Sequence, residues 1–295
     1  MEKKELENFR KAGQISREVS KYARSIITQG KSLVEIADMI ELKIHELGAK
    51  PAFPVNLSIN ETAAHYTPYQ NDPSIAKGLL KVDIGVSYNG YVGDSAFTLD
   101  LTPGNEFLEL IKASEKALEE ASKVIKSGVT VSEIGRAVES KIKEFGFKPI
   151  KNLSGHEIKR YNLHAGLTIP NYDSKSSSKL KEGMIIAIEP FATSGNGLVR
   201  NGQPSGIFKL IAKKPVRDLE TRKIIDYIEK NYLTLPFAGR WLVDIFGSRA
   251  RLSLKLLEDQ GIIHQYSHLN EVSKQPVSQA EHTFLVTADG CEVLT

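Results

Sequence analysis

The sequence predicts an α+β fold in which two related halves pack about a pseudo-two-fold axis, with a helical insertion late in the chain. Three observations carry this reading. A helix–helix–strand pattern occurs twice in the same order. A hairpin near residue 90 carries two carboxylates inside apolar strands. A stretch of different character, 200–276, separates the second half from its last hairpin.

The repeat is plain when the segments from Gly30 and Gly128 are compared. Each opens on glycine and continues into a helix-start pattern, Ser32 with Glu35 and Thr130 with Glu133, which predicts a capping box. Each then places apolar residues at helical spacing: Leu33, Ile36, Ile40 and Ile44 in one, Val131, Ile134, Val138 and Ile142 in the other. Each helix stops at a glycine, Gly48 or Gly146, as expected one position past a helix end. Asn-Leu-Ser follows at 56–58 and 152–154, and a histidine lies a few residues beyond, His65 or His164. A long amphipathic helix precedes each segment, expected over about 5–27 and 105–126, and an apolar strand with an embedded acid follows, Asp83 or Glu189. Helices covering one face of an antiparallel sheet make an α+β domain. A pseudo-two-fold axis brings equivalent positions together, so His65 should meet His164 and Asp83 should meet Glu189.

The hairpin is "KVDIGVSYNGYVGDSAFTL". Asn89-Gly90 suits a two-residue type I′ turn, which needs positive φ at both positions. That turn sets Tyr88 opposite Tyr91 and Gly85 opposite Asp94. Asp83 then shares a face with Asp94, roughly 7–8 Å away between Cα atoms as a diagonal neighbour. Two carboxylates so placed repel each other and lose hydration unless one is protonated or a cation lies between them. Half-exposed aspartates bound to loop donors would read the same over this stretch alone, so the decision rests on whether other ligands converge.

They do in the pattern of the chain. Asp83, Asp94, Glu189 in "IIAIEPF" and Glu281 in "AEHTFLV" interrupt apolar strand-like runs, and His156 follows a glycine in "NLSGHEI". Four carboxylates and an imidazole form an oxygen-rich set suited to two bridged divalent ions. Mn, Fe(II), Co and Zn all fit it. His282 alternates to the other side of its strand from Glu281, His45 reads as a helix-surface residue, and His264 and His268 fall in a polar stretch expected to be solvated.

Bulk properties narrow the classes. With 295 residues, 25% charged and a net charge of +3, the chain reads as an ordinary water-soluble globular protein with mild positive charge. One cysteine, Cys291, excludes an internal disulfide and a cysteine-rich zinc site. The charged N-terminus has no apolar signal core, and no run is long and apolar enough to span a membrane. A cytoplasmic, monomeric protein is the expectation.

The motifs "NLSINETAAHYTP", "VDIGVSYNGYVGDSAFT", "NLSGHEIKRYNLHAG", "IIAIEPFAT" and "AEHTFLV" together resemble the type 2 methionine aminopeptidases of the compact archaeal kind. The resemblance runs almost end to end and keeps the order of every motif. It implies the pita-bread fold, a pseudo-symmetric α+β domain, and removal of the initiator methionine from new polypeptides with two divalent metals. It further implies that Asp83 binds one metal, that His156 and Glu189 hold the other, and that Asp94 and Glu281 bridge them. It places His65 and His164 beside the scissile amide, and Phe53, in "KPAFPVNL", in the methionine pocket. Peptides and nascent chains with N-terminal Met are the implied substrates, with transient ribosome contact a further expectation.

The stretch 200–276 reads as three helices and a short strand, "GIIHQYS", and resembles a winged-helix module. The expected division is 1–199 plus 277–295 as catalytic domain and 200–276 as insert. Acids such as Asp218, Glu220 and Asp244 are interspersed with Arg217, Arg222 and Arg251, so nucleic-acid reading is not expected of it. Trp241 and Phe246 are expected in its core. Two rivals share the scaffold: an X-Pro aminopeptidase or prolidase-like enzyme, and an inactive relative that binds nucleic acid or the ribosome.

Overall fold

A computed structural model describes residues 2–295. Helix α1 (Lys3–Ile26) buries Phe9, Ala12, Ile15, Val19 and Ala23, a stripe at three- and four-residue spacing. Helix α2 (Leu33–Glu46) adds Ile36, Ile40 and Ile44, and both pack on strands Leu79–Tyr88 and Asn56–Ile59 through Leu57, Val82 and Ile84. The second half repeats the plan. Helices α3 (Leu108–Val124) and α4 (Val131–Glu144) lay Leu110, Ile134, Val138 and Ile142 on Ile186, Ile188 and Phe284 of strands Ile185–Ile188 and His282–Val286. Each half therefore has its own apolar core behind its own sheet. Gly48 and Gly146 end equivalent helices with φ of 76° and 81°, which a side chain would disfavour.

The hairpin forms in the expected register. Strand Leu79–Tyr88 pairs antiparallel with Tyr91–Asp100, Tyr88 opposite Tyr91 and Gly85 opposite Asp94. Asn89 and Gly90 take φ of 53° and 86°. The halves meet where Ala96 and Glu281 exchange backbone hydrogen bonds, 3.0 and 3.3 Å long. Thr283 strengthens that seam: its hydroxyl accepts from the Asp94 amide at 2.8 Å and donates to the Asp94 carbonyl at 2.9 Å.

In the stretch after residue 199, strand Val199–Leu210 pairs with Phe237–Ala238 on one side and Ile263–Glu271 on the other. Helices α5 (Leu219–Asn231), α6 (Gly239–Phe246) and α7 (Arg249–Asp259) cover it, around Phe208, Ile228, Phe237, Leu242 and Leu257. Strand Ile263–Glu271 also pairs with Thr62–Ala64, tying this unit to the first half.

Three local expectations need correction. Thr130 and Glu133 form the capping box, but Ser32 makes no side-chain cap, although both halves share the backbone bridge at this point, Leu33 donating to the Ser74 carbonyl and Val131 to the Ser178 carbonyl. Trp241 and Phe246 are only half-buried at the edge of the helical unit's core. His268 is half-buried rather than fully solvated: its ring lies 4.9 Å from that of Tyr66, and burial lowers its pKa. Among the described residues, no helix is long and apolar enough to cross a membrane.

Candidate active site

A cavity of about 390 Å³ opens between the halves, lined by Asp83, Asp94, His156, Glu189, Glu281, His65, His164 and Phe53. Asp83 and Asp94 project from the hairpin. His156 lies on strand Ser154–Ile158 opposite Ala187, two residues before Glu189. Glu281 sits at the seam. Asp94, His156 and Glu281 each offer a ligand atom within 4.8 Å of the others. His156 Nε2 is 3.7 Å from Asp94 Oδ2 and 4.0 Å from Glu189 Oε1. Gly155 makes the approach feasible, since a Cβ there would strike the Ala187 carbonyl oxygen.

The electrostatics are those of a cluster that wants a cation. Asp94 is 3% exposed and Glu281 2%, and among the described residues no lysine or arginine pairs with either, nor with Asp83 or Glu189. Burial pushes the Asp83 carboxyl up to about 7, the Gln279 amide acting against it. Asp94 is raised well above the usual carboxylate range by burial and then by Asp83. Glu189 is raised by burial and then by Asp83 and Asp94, and Glu281 by burial and then by Asp94, Glu189 and Asp83. His156 is pushed down to about 3 by burial first and His164 second. Asp83 Oδ1 and Asp94 Oδ1 are buried without any hydrogen-bond partner. Buried oxygens left this way cost about 1–3 kcal/mol each, more when charged. Divalent cations satisfy both the orphan oxygens and the mutual repulsion, and an oxygen-rich set with one imidazole suits Mn, Fe(II), Co or Zn. The residues fit such a group.

His65 takes φ of 64°, a strained conformation for a non-glycine residue, and its Nδ1 lies 3.3 Å from the Ser267 carbonyl. That carbonyl can only accept, so Nδ1 carries the proton and Nε2 is an acceptor. Burial pushes His65 down to about 4. His164 stands at the rim, its ring centroid 4.5 Å from that of His156; the protein around it lowers its pKa, while its open side keeps it in contact with water. Phe53, 7% exposed, lies over Gly85.

Several lining residues had not been singled out from the sequence. Tyr266, Leu269, Ile207 and Pro236 bring apolar wall from the region after residue 199. Tyr266 stacks edge-on against His65 at 5.3 Å. Asn56 is 4% exposed and opposite Asp83 in register, its Nδ2 donating to the Pro54 carbonyl and its Oδ1 unpaired. Asn56 stood within the repeated Asn-Leu-Ser, a signal that could have found it; Tyr266 had no such mark.

Known proteins resemble this chain over almost its whole length. A methionine aminopeptidase of Thermococcus onnurineus is 47% identical over 295 residues, with 99% of each chain covered. Among solved structures, a thermophilic Arx1 superposes with a TM-score of 0.87 at 16% identity, covering all of this chain and 91% of that one. The Thermotoga maritima methionine aminopeptidase superposes with a TM-score of 0.71 at 23% identity, covering all of this chain and 98% of that one. Both structural likenesses speak to the pita-bread fold. The model of metallopeptidase family M24 matches residues 7–232, and with a near-full-length relative at this identity, the chain belongs to metallopeptidase family M24.

Proposed function

We propose that this chain is a methionine aminopeptidase: it hydrolyses the first peptide bond of polypeptides that begin with methionine, using two divalent metal ions held by Asp83, Asp94, His156, Glu189 and Glu281. The observation that carries the reading is the convergence of four mutually repelling carboxylates, Asp94 and Glu281 fully buried and Asp83 and Glu189 partly so, and one imidazole on a cavity with an apolar wall. The same reading takes 1–199 with 277–295 as the catalytic unit and 200–276 as an insert that closes one side of the cavity.

When bound, divalent cations would supply charge that offsets the carboxylates and would activate water as a nucleophile near neutral pH. Asp83, Asp94, His156, Glu189 and Glu281 would be the residues that hold them. Glu189 is the least enclosed of the site's glutamates, its side chain 16% exposed against 2% for Glu281 as a whole. It therefore serves as the proton carrier, taking a proton from the attacking water and delivering it to the leaving amine. The two histidines divide the substrate amide. His65, with Nδ1–H spent on Ser267, presents Nε2 as an acceptor for a substrate N–H. His164 is neutral at physiological pH, since its surroundings lower its pKa. Its N–H is free to donate to the oxygen on which charge develops. Phe53 and the apolar residues opposite it receive the methionine side chain, a long flexible thioether that suits a narrow slot.

The test is metal-loaded protein with Met-Ala-Ser and, separately, an X-Pro peptide. Release of free methionine from the first, abolished by chelator and restored by added metal, with the second left intact, is the expected result. Preference for the X-Pro peptide would replace the reading with a prolidase-like one. Failure to cleave either in the presence of metal would reject peptidase function.

A further inference from the structure

Glu41 lies in α2, apart from the carboxylate cluster, and is 6% exposed. Four donors converge on it. Arg240 Nη2 donates to Oε1 at 2.6 Å and Nη1 to Oε2 at 2.9 Å; Trp241 Nε1 donates to Oε2 at 2.7 Å; the Val55 amide donates to Oε1 at 3.2 Å. Arg240 is equally buried, and its Nε donates to the Pro68 carbonyl at 3.2 Å. The guanidinium fork matched to both carboxylate oxygens fixes orientation as well as energy.

The segments joined this way are those that wall the cavity. Val55 lies between Phe53 and Asn56. Pro68 lies three residues past His65. Arg240 and Trp241 open α6, just after Pro236. The helical unit is held to the first half at one other extended place, where Leu269 pairs with Ala64 and Asn270 with Thr62. Beside that strand pair, His65 and Tyr66 contact Ser267, Tyr266 and His268 of the same strand; nearer α6, Asp38 adds an ion pair to Arg240 at 3.4 Å, and Gln70 with Asp244 and Arg251 with Gln70 are exposed and weak. A buried ion pair is poor evidence for stability, because desolvation offsets most of its attraction; its best-attested use is to fix register.

We propose that the Glu41–Arg240–Trp241 junction is a specificity device: it sets the width of the slot that receives the substrate's N-terminal side chain by locking the helical unit against segments 53–56 and 65–68. Glu41 and Arg240 touch no substrate and act as positioning residues. The inference rests on the aminopeptidase reading above. Without the junction, the wall segment that carries Pro236, just before α6, loses its buried tie to segments 53–56 and 65–68 and can shift relative to Phe53, and the slot loses its preference for a long unbranched side chain.

The readout is the ratio of kcat/KM for Met-Ala-Ser to that for Leu-Ala-Ser, which does not depend on the fraction of enzyme folded. Glu41→Gln removes the buried charge partner of Arg240, leaving only the exposed Asp38 at 3.4 Å, and should lower the ratio by about tenfold, within the range of a mis-sized apolar pocket. Trp241→Phe removes one donor with little risk to folding and should lower the ratio by roughly threefold, about a third to a half of a logarithmic unit in binding. The double variant Glu41→Leu/Arg240→Met replaces the pair by apolar groups; it should recover Tm towards wild type while the ratio stays low. A ratio unchanged in folded Glu41→Gln and Trp241→Phe overturns the proposal, as does a ratio that recovers together with Tm in the double variant. If the wild type cleaves neither peptide, the aminopeptidase reading falls and this inference falls with it; if it cleaves Met-Ala-Ser and the ratio is unmoved, only the junction's role is lost.

Discussion

Gly85→Ala probes how the metal-facing sheet makes room for the substrate slot. Gly85 sits opposite Asp94, on the face that carries the carboxylates. A Cβ at this position would come within 2.5 Å of Phe53 Cδ1 and 2.8 Å of Cζ, and closer still to Cε1. Non-bonded carbons rest about 3.5–4.0 Å apart, so the ring must retreat by roughly 1–1.5 Å. The ring is packed in one buried cluster with Phe9 and Tyr91. The open direction is the cavity. Overpacking of this kind costs about 1–3 kcal/mol, which should lower Tm by a few degrees in a chain of this size. The displaced ring shortens the space available to a methionine side chain, and the loss of one methylene's worth of slot is worth about 1–3 kcal/mol in kcat/KM, or roughly 5- to 150-fold.

The assay is steady-state hydrolysis of Met-Ala-Ser and of a peptide with a shorter N-terminal side chain, alongside thermal unfolding. The Met peptide should suffer far more than the short one, and Gly85→Ala/Phe53→Leu should recover part of the loss by giving the methyl somewhere to go. A folded Gly85→Ala that handles both peptides in wild-type proportion would show that Phe53 does not bound the slot.

Glu189→Gln should reduce peptide cleavage by at least about 10²-fold without lowering the Tm of metal-free protein, because it removes one of the repelling carboxylates; near-normal turnover would reject Glu189 as the proton carrier. Binding of Mn(II) to metal-free protein at pH 7 should release roughly one proton or more per chain, since the raised carboxyls must ionise to ligate; calorimetry in two buffers of different ionisation enthalpy measures this, and no release would mean that the cluster is already ionised. His65 titrates near 4 in the folded chain against 6.5 for a free imidazole, so the unfolded chain binds its proton first and stability falls as pH drops from about 6.5 to 4. His65→Gln should flatten that slope by up to about 1.4 kcal/mol per pH unit, read from urea unfolding at successive pH values; an unchanged slope would refute the burial argument. Gly155→Ala forces a methyl against the Ala187 carbonyl and should weaken Mn(II) binding by about tenfold or more through displacement of His156, whereas an unchanged affinity would show that the strand pair yields elsewhere.

The parts of the fold that could be read in the sequence are those with local causes. A two-residue Asn-Gly turn admits one pairing, so the hairpin register and the shared face of Asp83 and Asp94 follow from residues 81–99 alone. Apolar spacing placed α1 to α4 within a few residues of their observed ends. The Ser32 cap shows the limit of such local reading: Ser32 carries the same pattern as Thr130, and both sit in the same backbone bridge, Leu33 to the Ser74 carbonyl and Val131 to the Ser178 carbonyl, yet only Thr130 caps its helix with its side chain. Glu41 was invisible because its partner lies 199 residues away. In the helix pattern it occupies a position where a surface acid is ordinary, and only the arrival of α6 buries it.

The same distinction separates the chemistry of this site from its selectivity. Each duplicated half contributes a strand with an acid set among apolar neighbours, and a charge in that setting is conspicuous because burial makes it costly. Placing the halves face to face multiplies the cost, and a cation is what resolves it, so the ligand set is over-determined by residues that look misplaced one at a time. The slot has no such signature. Its walls are Phe53 on one side and Ile207, Pro236, Tyr266 and Leu269 on the other, apolar residues in apolar runs, where each is indistinguishable from core. They become a binding surface only through the docking of a unit that has no counterpart in the first half. On the proposals above, a chain that kept all five proposed ligand positions but altered the contact between α2 and α6 would keep its hydrolytic chemistry and change its substrate.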